Sequence, residues 1–182
     1  MNCMLRPALF LDRDGVINED LSYVYRPEDF HFVDGIFELV AAANQVGCLV
    51  IVVTNQAGIG RGYYSEADFH ALTVWMCDIF AQRGANVDAV YYCPFHPEHG
   101  VGEYKQESEC RKPNPGMLLQ AANEHNIDLR RSIMVGDKIS DIQAGQRAGV
   151  GGLFYLGQEP GVTDATVIQK LTDLIPMLSL GK

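Results

Sequence analysis

The chain has 182 residues and carries 14 Lys and Arg against 23 Asp and Glu, a formal net charge of −9. That length predicts a single domain over 1–182, and the acidity argues against nucleic acid or anionic membrane as a partner, because both carry negative charge. Hydrophobic residues at 47% and charged residues at 20% exclude a disordered chain.

Short apolar runs alternate with stretches of helical period, which predicts an α/β fold with a Rossmann-like parallel sheet under helices on both faces. In chain order the expected elements are a strand at 8–11, a helix at 35–46, a strand at 49–53 and a helix at 66–83 with Ser65 as N-cap. A strand at 89–92 follows, then a helix at 115–126 with Asn114 as N-cap, a strand at 132–135, a helix at 139–148 and a strand at 152–156. A final helix is expected over 165–178. The irregular stretches are 18–32, 55–64 and 94–113, the last an insertion after a strand. In open α/β sheets ligands bind beyond the carboxyl ends of the strands, so chemistry is expected there. No apolar run approaches the roughly 20 residues of a membrane span, and acidic residues come too early for a secretory leader, which predicts a cytoplasmic chain. Five cysteines, an odd number without a tight framework, fit reduced thiols or a metal site better than disulfides.

The first strand runs into Asp12-Arg13-Asp14-Gly15, which sets two carboxylates two residues apart as the chain starts to turn. A calcium loop would need an oxygen ligand at Val16, Gly at Ile17 and Glu at Tyr23, so that reading fails. The second strand ends in Thr54-Asn55-Gln56, groups able to hold phosphate oxygens without adding charge. Gly58, Gly60 and Gly62 follow, but a dinucleotide fingerprint would need Gly at Tyr63, and no phosphate-loop Gly-Lys-Ser/Thr exists. Arg111-Lys112-Pro113 opens a helix, and the fourth strand delivers Asp137, Lys138 and Asp141. Cys93, His96, His99 and Cys110 could form a tetrahedral zinc site in the insertion.

Paired Asp, then Thr, then Lys, then paired Asp, in that order, resembles the phosphatase branch of the haloacid dehalogenase superfamily over Ala8 to about Leu156. The wording around Asp12, Thr54, Gly58 to Gly62 and Cys110 to Pro113 is similar to its heptose bisphosphate and histidinol-phosphate phosphatases. The resemblance implies a haloacid dehalogenase-like fold with a minimal cap, since 18–32 and 94–113 are too short for a cap domain. It implies a Mg²⁺-dependent phosphoric monoester hydrolase. Asp12 would be the nucleophile, Asp14 the general acid and base, and Thr54 and Lys112 would hold the phosphoryl oxygens. Mg²⁺ would sit on the side chains of Asp12 and Asp137 and the backbone carbonyl of Asp14, with Asp141 orienting Lys112 or a metal-bound water.

Substrate contacts are implied at Asp20, Tyr23, Asn55, Gln56, Arg111 and Lys138, with Arg111 suited to a second phosphate by its planar fork. The expected substrate is a small phosphorylated sugar, a heptose bisphosphate of lipopolysaccharide core synthesis, handled by a monomer. Histidinol phosphate is the alternative substrate; a mutase or phosphotransferase and a noncatalytic binding module are the other classes. The family's zinc pattern is Cys-x-His then Cys-x-Cys, and here Phe95 and Ser108 stand at two of those places. Either His96 and His99 substitute around a structural Zn²⁺, or the loop packs through Phe95 without metal.

Overall fold

In the computed structural model, which describes residues 5–158, 161 and 164–179, six parallel strands form one sheet. The strands are β1 (Ala8–Leu11), β2 (Leu49–Asn55), β3 (Ala89–Cys93), β4 (Ile133–Gly136), β5 (Gly152–Leu156) and β6 (Thr166–Ile168). Their order across the sheet is β3-β2-β1-β4-β5-β6. The helices are α1 (Ile36–Gln45), α2 (Ala57–Gly60), α3 (Glu66–Gln82), α4 (Gly116–His125) and α5 (Ile139–Ala148).

The strand alternation sorts the core onto two faces. Leu9 and Leu11 of β1 and Val50 and Val52 of β2 pack with Leu39 and Val40 of α1 and Leu72 and Met76 of α3. Ala8, Phe10, Ile51 and Val53 point the other way, onto Met117, Leu118 and Ala121 of α4 and Ala144 and Ala148 of α5. Strands buried on both faces must be apolar at successive positions, which is why these runs read as continuous rather than alternating. Ser65 caps α3 as expected: its Oγ accepts the Asp68 N–H at 3.1 Å, and Asp68 Oδ2 accepts the Ser65 N–H at 2.8 Å.

Two expectations are corrected. Asn114 does not cap α4; its Nδ2 donates to the Ser108 carbonyl at 3.1 Å and its Oδ1 accepts from Arg147 Nη1 at 3.2 Å, tying the insertion to the loop before the helix. The expected helix over 165–178 is instead β6 followed by a 3₁₀ helix, Leu171–Ser179. Thr166, Val167 and Ile168 are β-branched and find an open sheet edge on β5, with Phe154 opposite Thr166 and Leu156 opposite Ile168. Pro176, inside the following segment, cannot supply the N–H an α-helix would need there. Among the described residues no helix is long and apolar enough to cross a membrane.

Candidate active site

β1 and β4 are neighbours although far apart in the chain, and from them the strand order runs outward in opposite directions. A crevice opens beyond their carboxyl ends at such a reversal. The chain places Asp12 directly after β1 and Asp137 directly after β4, and the Asp12 N–H donates to the Val135 carbonyl at 3.1 Å. Gly15 lets the two loops close together: it has φ +97°, and a Cβ there would lie 2.1 Å from Asp137 Oδ2.

The floor of the crevice is a carboxylate cluster around one ammonium. Lys112, 3% exposed, places Nζ 2.8 Å from Asp12 Oδ1, 2.7 Å from Asp141 Oδ1 and 2.7 Å from the Val53 carbonyl. Asn55 fixes the lysine backbone through both amide ends, accepting its N–H and donating to its carbonyl, each at 3.0 Å. Asp141 therefore stands on Lys112, and its Oδ2 also accepts the Lys138 N–H at 3.0 Å. Burial pushes Asp12 up to about 7, with Lys112 opposing and Asp141 and Asp137 adding. Asp137 is pushed up to about 6 by burial, with Lys138 opposing and Asp141 adding. Burial works against the Lys112 ammonium, yet the charges of Asp12 and Asp141 outweigh it and hold its pKa above the ordinary lysine value. The lysine keeps its proton, and the excess negative charge falls on the carboxylates.

That imbalance is what a divalent cation relieves. Asp12, Asp137 and Asp141 offer carboxylate oxygens within 4.8 Å of one another, and Asp137 Oδ1 is buried with no hydrogen-bond partner among the described residues. An all-oxygen donor set suits Mg²⁺. The residues present fit the ion.

Asp14 is held by donors from three residues. Arg13 reaches its Oδ1 through Nη2 at 2.7 Å and Nε at 3.2 Å, Asn18 Nδ2 reaches the same oxygen at 3.1 Å, and Gln56 Nε2 reaches Oδ2 at 3.0 Å. Gln56 Nε2 also donates to Thr54 Oγ1 at 2.8 Å. Since Thr54 Oγ1 accepts there, its own proton is free to point into the crevice. The Gln56 amide is oriented from behind by Tyr64, whose hydroxyl donates to Oε1. Burial raises the Tyr64 phenol, which keeps it a donor. Gly58 makes room for this tyrosine, because a Cβ would lie 2.2 Å from its ring.

Above the floor lies a pocket of about 550 Å³. Asp14, Asp20, Tyr23, Asn55, Gln56, Arg111, Lys112 and Lys138 all line it, so every expected substrate residue converges there, while Asp12 and Thr54 lie beneath at 4% and 1% exposure. Asp20 Oδ2 accepts from Lys138 Nζ at 2.9 Å. Burial works against the Asp20 carboxylate, but the hydrogen bond and charge of Lys138 outweigh it and hold its pKa below the ordinary aspartate value. Arg111 is half-buried, with Nη1 donating to the Phe95 carbonyl at 3.2 Å.

The zinc expectation is not met. Cys93 and Cys110 lie near enough for each thiol to act on the other, and the Cys110 Sγ is 3.0 Å from Ser108 Oγ. The histidines go elsewhere: His96 Nδ1 accepts the N–H groups of Glu98 and His99 at 3.2 and 3.1 Å, and His99 faces Glu98 at 3.8 Å. Among the described residues the one group of three or more His, Cys, Asp and Glu with converging ligand atoms is Asp12, Asp137 and Asp141. Phe95 instead packs its ring toward Tyr104, with centroids 6.0 Å apart. Phe95 and Ser108 thus put an aromatic ring and a hydroxyl beside the two thiols.

Arg13 and Tyr64 are among the residues of the site that escape a reading of the sequence. Arg13 is buried at 2% exposure between the rings of Phe30 and Phe69, with Nη2 also donating to the Val24 carbonyl at 2.7 Å. Its one legible signal is its place between two carboxylates. Tyr64 carries none, because its partner Gln56 is identified only by the folded turn between them.

A HAD-hydrolase-like family model matches residues 109–176. The chain is 56% identical over 180 residues to the D-glycero-alpha-D-manno-heptose-1,7-bisphosphate 7-phosphatase of Burkholderia mallei, covering 97% of this chain and 95% of that protein. It is 54% identical over 148 residues to the D-glycero-beta-D-manno-heptose-1,7-bisphosphate 7-phosphatase of Vibrio cholerae, covering 81% and 80%. Among solved structures, a D,D-heptose 1,7-bisphosphate phosphatase from B. bronchiseptica, complexed with magnesium and phosphate, superposes with a TM-score of 0.81 at 30% identity, covering 97% of this chain and 99% of that one. A HAD-like phosphatase from Mesorhizobium loti gives a TM-score of 0.91 at 38% identity, covering 97% and 88%. With a buried aspartate cluster, a lysine at its centre and relatives of this identity along nearly its whole length, the chain belongs to the D-glycero-manno-heptose-1,7-bisphosphate 7-phosphatases of the HAD-like hydrolase family.

Proposed function

We propose that the protein is a Mg²⁺-dependent phosphatase that removes the 7-phosphate of D-glycero-D-manno-heptose 1,7-bisphosphate through an aspartyl-phosphate, in the supply of nucleotide-heptose for lipopolysaccharide core. The observation that carries this reading is the Lys112 ammonium between Asp12 and Asp141 at the floor of a pocket that Asp14 lines. The reading is of a single-domain monomer in the cytoplasm, and the net charge of −9 supports a small-molecule partner over nucleic acid.

Phosphate monoesters hydrolyse slowly because an anion must be attacked by a nucleophile that it repels. Asp12 is the nucleophile: its carboxylate oxygen bonds to phosphorus as the bond to the sugar oxygen breaks. Lys112 reaches a phosphoryl oxygen by exchanging its contact with Asp12 Oδ1, which frees that oxygen as the phosphate arrives. Thr54 donates its free hydroxyl proton to a second phosphoryl oxygen. Asp12, Asp137 and the Asp14 carbonyl would hold Mg²⁺, which would supply positive charge to offset the repulsion between nucleophile and phosphate.

Asp14 handles the proton. Arg13, Asn18 and Gln56 offer it donors only, so a proton on this carboxyl has no acceptor among them and is directed into the pocket, toward the departing sugar oxygen. In the second step Asp14 takes a proton from the water that attacks the acyl phosphate, and free phosphate leaves.

Phosphate release from both anomers of the heptose bisphosphate, with histidinol phosphate as comparison and with or without Mg²⁺, tests the reading. Turnover of a heptose bisphosphate that needs Mg²⁺ and vanishes in Asp12→Asn is expected. Faster turnover of histidinol phosphate, or a variant keeping about a tenth of the wild-type rate, would overturn it.

A further inference from the structure

The pocket has a cationic corner that chemistry at Asp12 does not use. Arg61, directly after α2, lines the pocket together with Arg111 and His96. In a chain with a net charge of −9 a half-buried guanidinium ordinarily finds a carboxylate. Neither arginine does: Arg61 and Arg111 have no ion pair among the described residues. Arg61 Nε is buried with no hydrogen-bond partner among the described residues, although an unsatisfied buried donor is costly.

The corner concentrates like charge. Burial disfavours the Arg111 guanidinium, and the charge of Arg61 adds to that, with Cys93, Cys110 and Glu107 opposing. Protonation of His96 is disfavoured by burial, then by Arg111, His99 and Arg61, with Glu98 opposing. Two guanidiniums that line one pocket without a carboxylate partner make a site for an anion with several oxygens.

Arg61 is also held in advance. Its guanidinium carbon lies 5.9 Å from the centroid of the Tyr23 ring, and Tyr23 stands edge-on to Tyr63 at 4.7 Å. Ser22 and Tyr23 adopt left-handed backbone at φ 64° and 57°, which costs of order 1 kcal/mol each and persists where the surroundings require it. On the other side α2 is pressed against the end of β3, where a Cβ on Gly60 would lie 2.4 Å from the Pro94 carbonyl oxygen. Fixing a guanidinium before the ligand arrives lowers the entropy lost on binding.

We propose that Arg61 is a specificity-determining residue that, with Arg111, clamps the non-reacting phosphate of a bisphosphate substrate. The inference rests on the phosphatase reading above. Since the distal phosphate keeps the same charge in ground and transition state, the clamp acts on KM and not on kcat. It also holds the product, which retains that phosphate.

The test compares wild type, Arg61→Gln, Arg61→Lys and Arg111→Ala on the heptose 1,7-bisphosphate and on the 7-monophosphate. Arg61→Gln is expected to raise KM for the bisphosphate by about 10- to 100-fold, with kcat changed less than about threefold and a KM rise on the monophosphate at least about tenfold smaller. Arg61→Lys should recover part of the loss, since it keeps charge but not the fork. Inhibition by heptose 1-phosphate should weaken in parallel. Equal KM rises on both substrates, or an unchanged KM for the bisphosphate in an Arg61→Gln enzyme that is folded by circular dichroism, would overturn the clamp while leaving the phosphatase reading intact. A wild-type enzyme inert toward the bisphosphate would overturn both.

Discussion

Arg13 and Asp14, adjacent in the chain, are also ion-paired, with Nη2 2.7 Å from Oδ1, and the arginine is sunk beneath Val24, Phe30 and Phe69. Neighbouring side chains at a strand end normally diverge. Here the turn at Gly15 brings them to the same side, so a buried cation sets the orientation of the Asp14 carboxyl.

Removing that cation leaves Asp14 with amide donors alone and a gap between two rings. Arg13→Met is expected to lower stability by about 3 kcal/mol, the scale for breaking a buried pair. It should also cut kcat on sugar phosphate by about 10-fold or more, because Asp14 is no longer aimed. Urea unfolding and steady-state kinetics check the two parts, and an unchanged kcat in the folded variant would refute the orienting role.

If Asp14 protonates the leaving oxygen, its importance depends on the leaving group. Asp14→Asn should slow aspartyl-phosphate formation from a sugar phosphate by about 10²-fold or more, yet slow formation from an activated aryl phosphate much less. Rapid-quench measurement of the first step decides this, and equal losses on both substrates would assign Asp14 another role.

The raised aspartates link metal to pH. Their folded pKa values, about 7 for Asp12 and about 6 for Asp137, exceed the ordinary aspartate value of 3.8. Without metal, their contribution to stability is therefore complete below 3.8 and is lost as pH rises through 6 and 7. Mg²⁺ binds the ionised forms, so it restores most where they are ionised. At about 100 times Kd it should add about 2.7 kcal/mol, with a larger rise in Tm at about pH 8 than at about pH 5.5. Thermal melts with Mg²⁺ or chelator measure it; an equal rise at both pH values, or a full rise in Asp137→Asn, would contradict the assignment.

Glu66 gives the opposite sign. It accepts the hydroxyls of Tyr92 on β3 and Tyr104 in the insertion, both at 2.8 Å, and these hydrogen bonds lower its pKa against a smaller effect of burial. A depressed carboxylate contributes stability above its unfolded value of 4.5 that is lost as pH falls through the folded value. Glu66→Gln should therefore melt below wild type at neutral pH, with the gap closing as pH falls below 4.5 and through the folded value. A gap independent of pH would show that packing, not charge, is lost.

Local order carries much of this protein in its sequence. Apolar runs followed at once by Asp12, Thr54, Asp137 and their neighbours mark strand ends, and helices such as α1, with Ile36, Leu39, Val40 and Ala43 on one face, declare themselves by period. Because a parallel α/β sheet gathers its strand ends, the order of these groups also forecasts which would meet. The exceptions depend on what lies across space. Residues 166–168 read as part of a helix until the free edge of β5 offers their backbone a ladder. Lys112 alone looks like a surface charge, and only folding brings Asp12 to it across 100 residues. Cys93, His96, His99 and Cys110 have the spacing for zinc, yet the fold turns His96 Nδ1 onto the backbone N–H groups of Glu98 and His99 and away from the thiols. A side chain's direction is set by the sum of its neighbours' volumes and charges, and those neighbours are assembled by the tertiary fold.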